Sequence, residues 1–176
     1  GQPYLMATVG EDFEDYRHWL ESKGIDTTLT RVIPGVFTAS FFANTDRSNA
    51  QIASFYPGAM AYAAQLSFRD LAEKPDLVMI SPNDPGAMND FIRQAQALGI
   101  PYLYDPSQQT VRLSAEELRQ GVEGALCVFV NDYEAALIEK MTGLLPKDFP
   151  TRSGAAPGAF MVVTRGAAGA SIYTQE

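Results

Sequence analysis

Asn131 and Glu134 stand three residues apart where an apolar run hands over to a helix-like pattern, in FVNDYEAALIEKMTG, residues 129–143. Cys127–Val130 reads as a buried strand, and the pattern after it stops at Gly143. An amide and a carboxylate at that point can do two things. They can start the helix, with Asn capping the first turn and Glu favourable to its dipole. They can also hold a hydrated hard cation and the phosphates it carries, because Mg²⁺ takes oxygen ligands and keeps several waters. The second use needs phosphate donors nearby. Thr164-Arg165-Gly166-Ala167-Ala168-Gly169 offers a hydroxyl, backbone amides and two glycines after another apolar run, a turn able to wrap phosphates. The chain has no GxxxxGK[ST] and no GxGxxG. Phosphoryl transfer is mostly positioning and electrostatics, but it still calls for a base, and none stands out. His18, the single histidine, falls in the first helix pattern and reads as a surface residue. One histidine and one cysteine also leave too few ligands for a Cys/His metal cluster.

Strands and helices must alternate to position these groups. PYLMATV (3–9), DLVMIS (76–81), PYLYD (101–105), LCVFV (126–130) and AFMVVT (159–164) read as apolar strands. Phe13, Tyr16 and Leu20 mark one helix face that stops at Gly24. Met88, Phe91, Ile92, Ala95 and Leu98 mark another, stopping at Gly99. Ser114 and Glu117 form a capping-box pattern ahead of a helix with Leu118, Val122 and Ala125 on one side. Wholly apolar strands in strand–helix alternation imply a parallel sheet covered on both faces. Residues 27–60 break the rhythm. Pro34-Gly35 and Thr45–Asn49 carry turn chemistry between β-branched and aromatic runs, so two or three antiparallel strands are expected there. Residues 144–158, with three prolines and two glycines, read as a loop.

Ligands of an open parallel sheet bind outside the C-terminal strand ends. Four strands end in polar or turn residues: Ser81–Asp84, Asp105–Gln109, Asn131–Glu134 and Thr164–Gly166. Each alone is ordinary loop and cap chemistry. Four on one edge point to a site.

Composition narrows the class. The chain of 176 residues is 46% hydrophobic and 19% charged, as a globular protein is. A net charge of −8 argues against a nucleic-acid surface, but not against ATP, which a few placed backbone amides can hold. The one cysteine, Cys127, sits in an apolar run and reads as a buried, inert thiol; it excludes an internal disulfide and suits the cytosol. No apolar run approaches the roughly 18 residues that span a membrane, and no secretory leader pattern is present.

Taken together, VGEDFEDYRHWLESKGID, TDRSNAQIASFYPGAM, NDPGAM, DPSQQTVRLSAEELR, FVNDYE and VVTRGAAGA resemble the ribokinase-like PfkB family of sugar and nucleoside kinases. FYPGAM, DPSQQ and NDYE most resemble its bacterial, actinobacterial-type adenosine kinases. The resemblance implies an α/β, three-layer αβα sandwich with a mostly parallel sheet and a small antiparallel β lid. Residues 1–26 and 61–176 would be the nucleotide-binding core and 27–60 the lid. It implies that Asn131 and Glu134 order water, Mg²⁺ and nucleotide phosphates, and that Thr164, Gly166 and Gly169 line the phosphates of ATP. It further implies that Phe41, Phe55 and Met60 enclose a purine, with Gln108 and Gln109 reaching the base by hydrogen bonds. Flat apolar faces with a few amides at the edge suit such a ligand.

The departures are specific. The family's opening strand with a substrate-binding Asp, its G-G-x-x-x-x-N segment and its closing G-x-G-D, which carries the catalytic Asp, have no match here. No catalytic residue is therefore assigned, and the sequence reads as the middle portion of the family's length. Ala135 stands where close relatives carry an aromatic residue. The resemblance implies a cytoplasmic, ATP- and Mg²⁺-dependent phosphorylation of the 5′-hydroxyl of adenosine in purine salvage, with a homodimer formed through the lid. A sugar kinase acting on ribose or fructose and a non-catalytic interaction protein are the alternatives.

Overall fold

The computed structural model describes residues 1–48 and 50–175, so Asn49 of the expected 45–49 turn lies outside the described residues. The chain divides into two compact units, residues 1–66 and 67–176.

In the first unit, β1 (Thr8–Val9) pairs in parallel with β2 (Arg31–Val32), and α1 (Glu14–Ser22) connects them. Val9, Phe13 and Leu20 form a small core with Leu5 and Ile25 against it. The expected strand over 3–9 shrinks to β1 and an isolated parallel bridge from Tyr4 to Asp26. Gly24 ends the helix turn at φ 79°, as its position predicts. His18 is exposed and lies 3.3 Å from Glu14 one turn earlier.

β3 (Ser40–Thr45) and β4 (Gln51–Tyr56) form an antiparallel hairpin. Asp46 organises its turn, accepting from Ser48 N–H (2.8 Å), Ser48 Oγ (2.7 Å) and Ala50 N–H (2.9 Å). Of the two or three antiparallel strands expected in 27–60, this pair forms. Arg31–Val32 instead joins β1 in parallel, because α1 provides the crossover that parallel pairing requires. A 3₁₀ segment, Gly58–Gln65, follows. Gly58 has φ 45°, and a Cβ there would collide with the carbonyl of Phe37, which accepts from Ala59 N–H at 2.9 Å. The Pro-Gly of FYPGAM is thus a close backbone approach.

The second unit is a five-stranded sheet in sequence order. Its strands are β5 (Val78–Ile80), β6 (Tyr102–Tyr104), β7 (Cys127–Asn131), β8 (Phe160–Thr164) and β9 (Ala170–Tyr173). The first four are parallel and β9 returns antiparallel. Helices α2 (Pro85–Leu98), α3 (Ala115–Gly124) and α4 (Asp132–Thr142) make the crossovers. Each crossover steps to the next strand in the same direction. Right-handed connections then place all three helices on one face, where they pack side by side. That face buries the row Ile80, Tyr104, Val128 and Met161; on the other face Met79 and Ile172 are exposed.

The helix stops fall where glycine permits them: Gly99 and Gly143 are left-handed, at φ 61° and 78°. The expected loop over 144–158 holds one 3₁₀ turn, Pro146–Asp148, and is firmly anchored. Phe149 is fully buried, and Arg152 stacks on its ring while donating to the carbonyls of Glu123 and Ala125 at 2.8 and 2.7 Å.

Candidate functional site

Parallel pairing of β5 to β8 brings the four polar clusters to one edge. Two of them meet directly. Asn131 and Thr164, the last residues of β7 and β8, are register partners. Gly166 (φ 53°) and Gly169 (φ 86°, ψ −136°) shape the turn into β9; the latter combination is open essentially to glycine alone. Arg165 N–H donates to Gly169 O at 2.7 Å and closes that turn. Asn131, Glu134, Thr164, Gly166 and Gly169 are therefore brought together.

Asn131 also caps α4. Its Oδ1 accepts from Glu134 N–H at 2.8 Å, and Glu134 Oε2 accepts from Asn131 N–H at 2.9 Å, a complete capping box. Oε1 of Glu134 accepts nothing from the described residues. In the first cluster Asp84 caps α2, accepting from Ala87 N–H at 3.1 Å, so loop and cap chemistry accounts for that residue.

Asp105, at the end of β6, is the carboxylate that reasoning from sequence left without a role. Burial pushes its carboxyl above the usual carboxylate range, and the charge of Glu134 pushes the same way; a backbone bond from Ser107 opposes them. Ser107 has φ 42°, the one positive φ outside glycine among the described residues. Such a conformation marks a local constraint. The DPSQQ pattern could have pointed to it, but the influence of the Glu134 charge on Asp105 depends on β6 lying beside β7, which no local pattern reveals.

Gln108 is exposed and accepts from Ser107 Oγ at 2.7 Å. Gln109 is only 4% exposed, and its Oε1 accepts from Arg112 at 3.4 Å. Both lie in the 3₁₀ turn Ser107–Val111 after β6. In the first unit, Phe41 and Phe55 are cross-strand partners on one face of the hairpin, 65% and 45% exposed. Ala43 and Ala53 follow on that face. Met60 is half-buried in the 3₁₀ segment after the hairpin. Cys127 is fully buried and burial pushes its thiol up to about 12, so it stays protonated and inert.

The pfkB family carbohydrate kinase model matches residues 1–176. The chain belongs to the pfkB family of carbohydrate kinases. Among curated relatives of this pfkB chain, the nucleoside kinase of Methanothermobacter thermautotrophicus is 30% identical over 175 residues, 98% of this chain and 55% of the relative. Among solved structures, Burkholderia thailandensis nucleoside kinase in complex with inosine superposes with a TM-score of 0.85 at 28% identity, over 98% of this chain and 55% of that one. The same enzyme in complex with ADP-inosine gives 0.87, over 100% of this chain and 54% of that one. Methanocaldococcus jannaschii nucleoside kinase, an archaeal member of the ribokinase family, gives 0.84 at 24% identity, over 98% and 56%. The fold is accordingly ribokinase-like α/β, mostly parallel with a small antiparallel pair. The chain spans about half the length of the curated relatives it matches. No helix among the described residues is long and apolar enough to cross a membrane.

Proposed function

We propose that this chain is part of an ATP- and Mg²⁺-dependent nucleoside kinase that phosphorylates the 5′-hydroxyl of a purine nucleoside, adenosine in the first instance. The observation that carries this reading is the Phe41–Phe55 pair. Two aromatic rings lie exposed and opposite each other on one hairpin face, in a pfkB chain whose strand-end edge gathers Asn131, Glu134, Thr164, Gly166 and Gly169. Exposed apolar side chains grouped on one face mark a surface that a ligand or partner covers. A purine offers two flat faces to such rings.

Each unit has its own part. Phe41, Phe55 and Met60 give apolar surface to the base, and 27–60 acts as the lid. Gln108 and Gln109 offer amides to its edge. Thr164 Oγ1 and the backbone around Gly166 and Gly169 receive the ATP phosphates, and Asn131 and Glu134 orient the water shell of the cation. Mg²⁺, when bound, neutralises charge on the phosphates. The residues fit it: Glu134 has an oxygen that accepts nothing from the described residues, and Asp105 is a partly buried carboxylate raised by burial and then by the charge of Glu134, so both offer the oxygen donors a hard cation takes. In the reaction the nucleoside 5′-oxygen bonds to the γ-phosphorus, the bond to the ADP oxygen breaks, and the hydroxyl proton leaves to a base that residues 1–176 do not supply. The hairpin's opposite face carries Phe42, Ile52 and Tyr56, also exposed, and we assign it to pairing with a second subunit. The cytoplasm is the assigned compartment.

Substituting Phe55→Ala in the intact protein tests the substrate class. The Michaelis constant for adenosine should rise about 5- to 150-fold, the loss of one stacking face, with that for ATP nearly unchanged. Equal effects on both, or faster phosphorylation of ribose or fructose than of adenosine, would overturn the nucleoside assignment in favour of a sugar kinase.

A further inference from the structure

The β3–β4 hairpin takes little support along its length. Every described residue from Phe41 to Pro57 is exposed. The direction in which Phe41 and Phe55 face is therefore set mainly where the chain enters and leaves the hairpin. Both legs converge on Phe37 and Thr38. On the exit leg, Ala59 N–H donates to Phe37 O at 2.9 Å, and the 3₁₀ segment that starts at Gly58 packs on β1. On the entry leg, only Ala39 separates Thr38 from Ser40, the first residue of β3.

The loop between β1 and α1 grips that point. Asp12 Oδ1 accepts from both the N–H and the Oγ1 of Thr38, each at 2.7 Å. Thr38 Oγ1 in turn accepts from Gly10 N–H at 2.9 Å. Glu11 adds two bonds just upstream: its N–H donates to Val36 O at 3.1 Å, and its Oε1 accepts from Gly35 N–H at 2.8 Å. The approach is closed to any side chain at Gly10, where a Cβ would overlap the backbone of Phe37 and Thr38. Asp12 stands just ahead of α1, where an Asp ordinarily caps the helix. Here the cap position is Phe13, which makes no side-chain bond, and the Asp12 carboxylate is spent 26 residues away in sequence. The Thr38 bonds, hydroxyl first, hold that carboxyl below the usual carboxylate range.

We infer that Asp12 is a positioning residue for nucleoside binding: through Thr38 it fixes the direction of the hairpin, and so the place of Phe41, just inside β3, and of Phe55 across from it. This rests on the proposed role of those rings and adds the residue that aims them. A carboxylate suits the task because one oxygen accepts two donors at once, and charge-assisted bonds are the stronger kind.

Steady-state kinetics and hydrogen exchange on the intact protein test the inference. Asp12→Ala should raise the Michaelis constant for adenosine roughly 10-fold, as a small misplacement of a binding surface does, with that for ATP within about 2-fold of wild type. Asp12→Asn should recover most of that loss, because an amide oxygen still accepts from both Thr38 donors. Thr38→Val keeps the carboxylate and the backbone bond, and should show the same split at about 3-fold. Exchange needs no substrate: the Thr38 amide should exchange at least about 10-fold faster in Asp12→Ala, with β7 and β8 unchanged. If Phe55→Ala raises the adenosine constant and Asp12→Ala does not, the substrate reading stands and the role of Asp12 falls. If Phe55→Ala has no effect on adenosine, the substrate reading itself is wrong and the inference falls with it, whatever the exchange at Thr38. Equal rises in both Michaelis constants, with a lowered melting temperature and no rescue by asparagine, would make Asp12 a structural residue of the first unit and overturn the inference.

Discussion

Two helices of the second unit start with the same motif and leave its carboxylate differently engaged. α3 opens with Ser114 and Glu117, and α4 with Asn131 and Glu134; both are complete capping boxes. In the first, the Glu is spent on structure. Oε2 of Glu117 accepts from Ser114 N–H and Oγ, both at 2.8 Å, and Oε1 accepts from buried Asn89 at 2.6 Å. The Ser114 bonds, backbone first, hold its carboxyl below the usual range. In the second, Oε2 of Glu134 completes the box and Oε1 is left over, and the charge of Glu134 adds to burial in raising the carboxyl of Asp105. Capping therefore does not exclude ligand binding at Asn131-x-x-Glu134. The cap uses one oxygen and holds the other in place.

The largest effect should separate the two boxes at once. In the intact protein, Glu134→Gln should lower turnover about 10- to 100-fold, the usual cost of removing a group that orients a metal site, and raise the Mg²⁺ concentration for half-activity. Glu117→Gln should leave both unchanged. Wild-type turnover and Mg²⁺ dependence in Glu134→Gln would reduce its box to a second copy of the α3 start.

A smaller, structural effect sharpens the comparison from the other side. Ser114→Ala removes a cap and should cost about 1 kcal/mol, seen as a fall of roughly 2–4 °C in the melting temperature for a chain of this size. Turnover at saturating substrates should not move. Asn131→Ala should cost a similar amount of stability and lose turnover as well. A Ser114→Ala protein with normal stability would mean that Glu117 and Asn89 hold the α3 start without its cap.

The same contrast explains what was legible in the sequence. Both boxes, the left-handed glycines at 99 and 143 and the four strand-end clusters are written in neighbouring residues, so spacing alone finds them. Wherever distant segments decide, spacing fails. Arg31–Val32 pairs with β1 across α1, and neither short run signals a partner. Phe149 and Arg152 anchor a segment whose prolines and glycines advertise only a loop. The residues of the strand-end edge could be named from motifs, but two interactions of its charged groups could not. Asp105 feels the charge of Glu134 through strand order, and Arg165 turns back onto Tyr173 through the hairpin.

The smallest effect concerns Asp105 and runs opposite in sign to Glu117. Burial, then the charge of Glu134, raises the Asp105 carboxyl above its ordinary value. A carboxyl with a raised folded-state pKa binds its proton more tightly folded than unfolded, so ionising it costs stability. That cost is absent below the ordinary carboxylate range, grows as pH rises through the interval up to the folded value, and is complete above it. Glu117, with a lowered folded-state pKa, stabilises fully above the ordinary range and loses that contribution as pH falls through its folded value. Asp105→Asn should therefore raise the melting temperature at pH 7, without metal or nucleotide, by on the order of 1–3 °C. In acid below both values, wild type and variant should melt together. Adding Mg·ATP should reverse the order, because a cation beside Asp105 and Glu134 turns the cost of their charges into a gain that asparagine cannot share. If Asp105→Asn melts below wild type at pH 7 in the absence of Mg²⁺, Asp105 is a structural residue of the β6 end. The free oxygen of Glu134 would then have no second carboxylate to share a cation with.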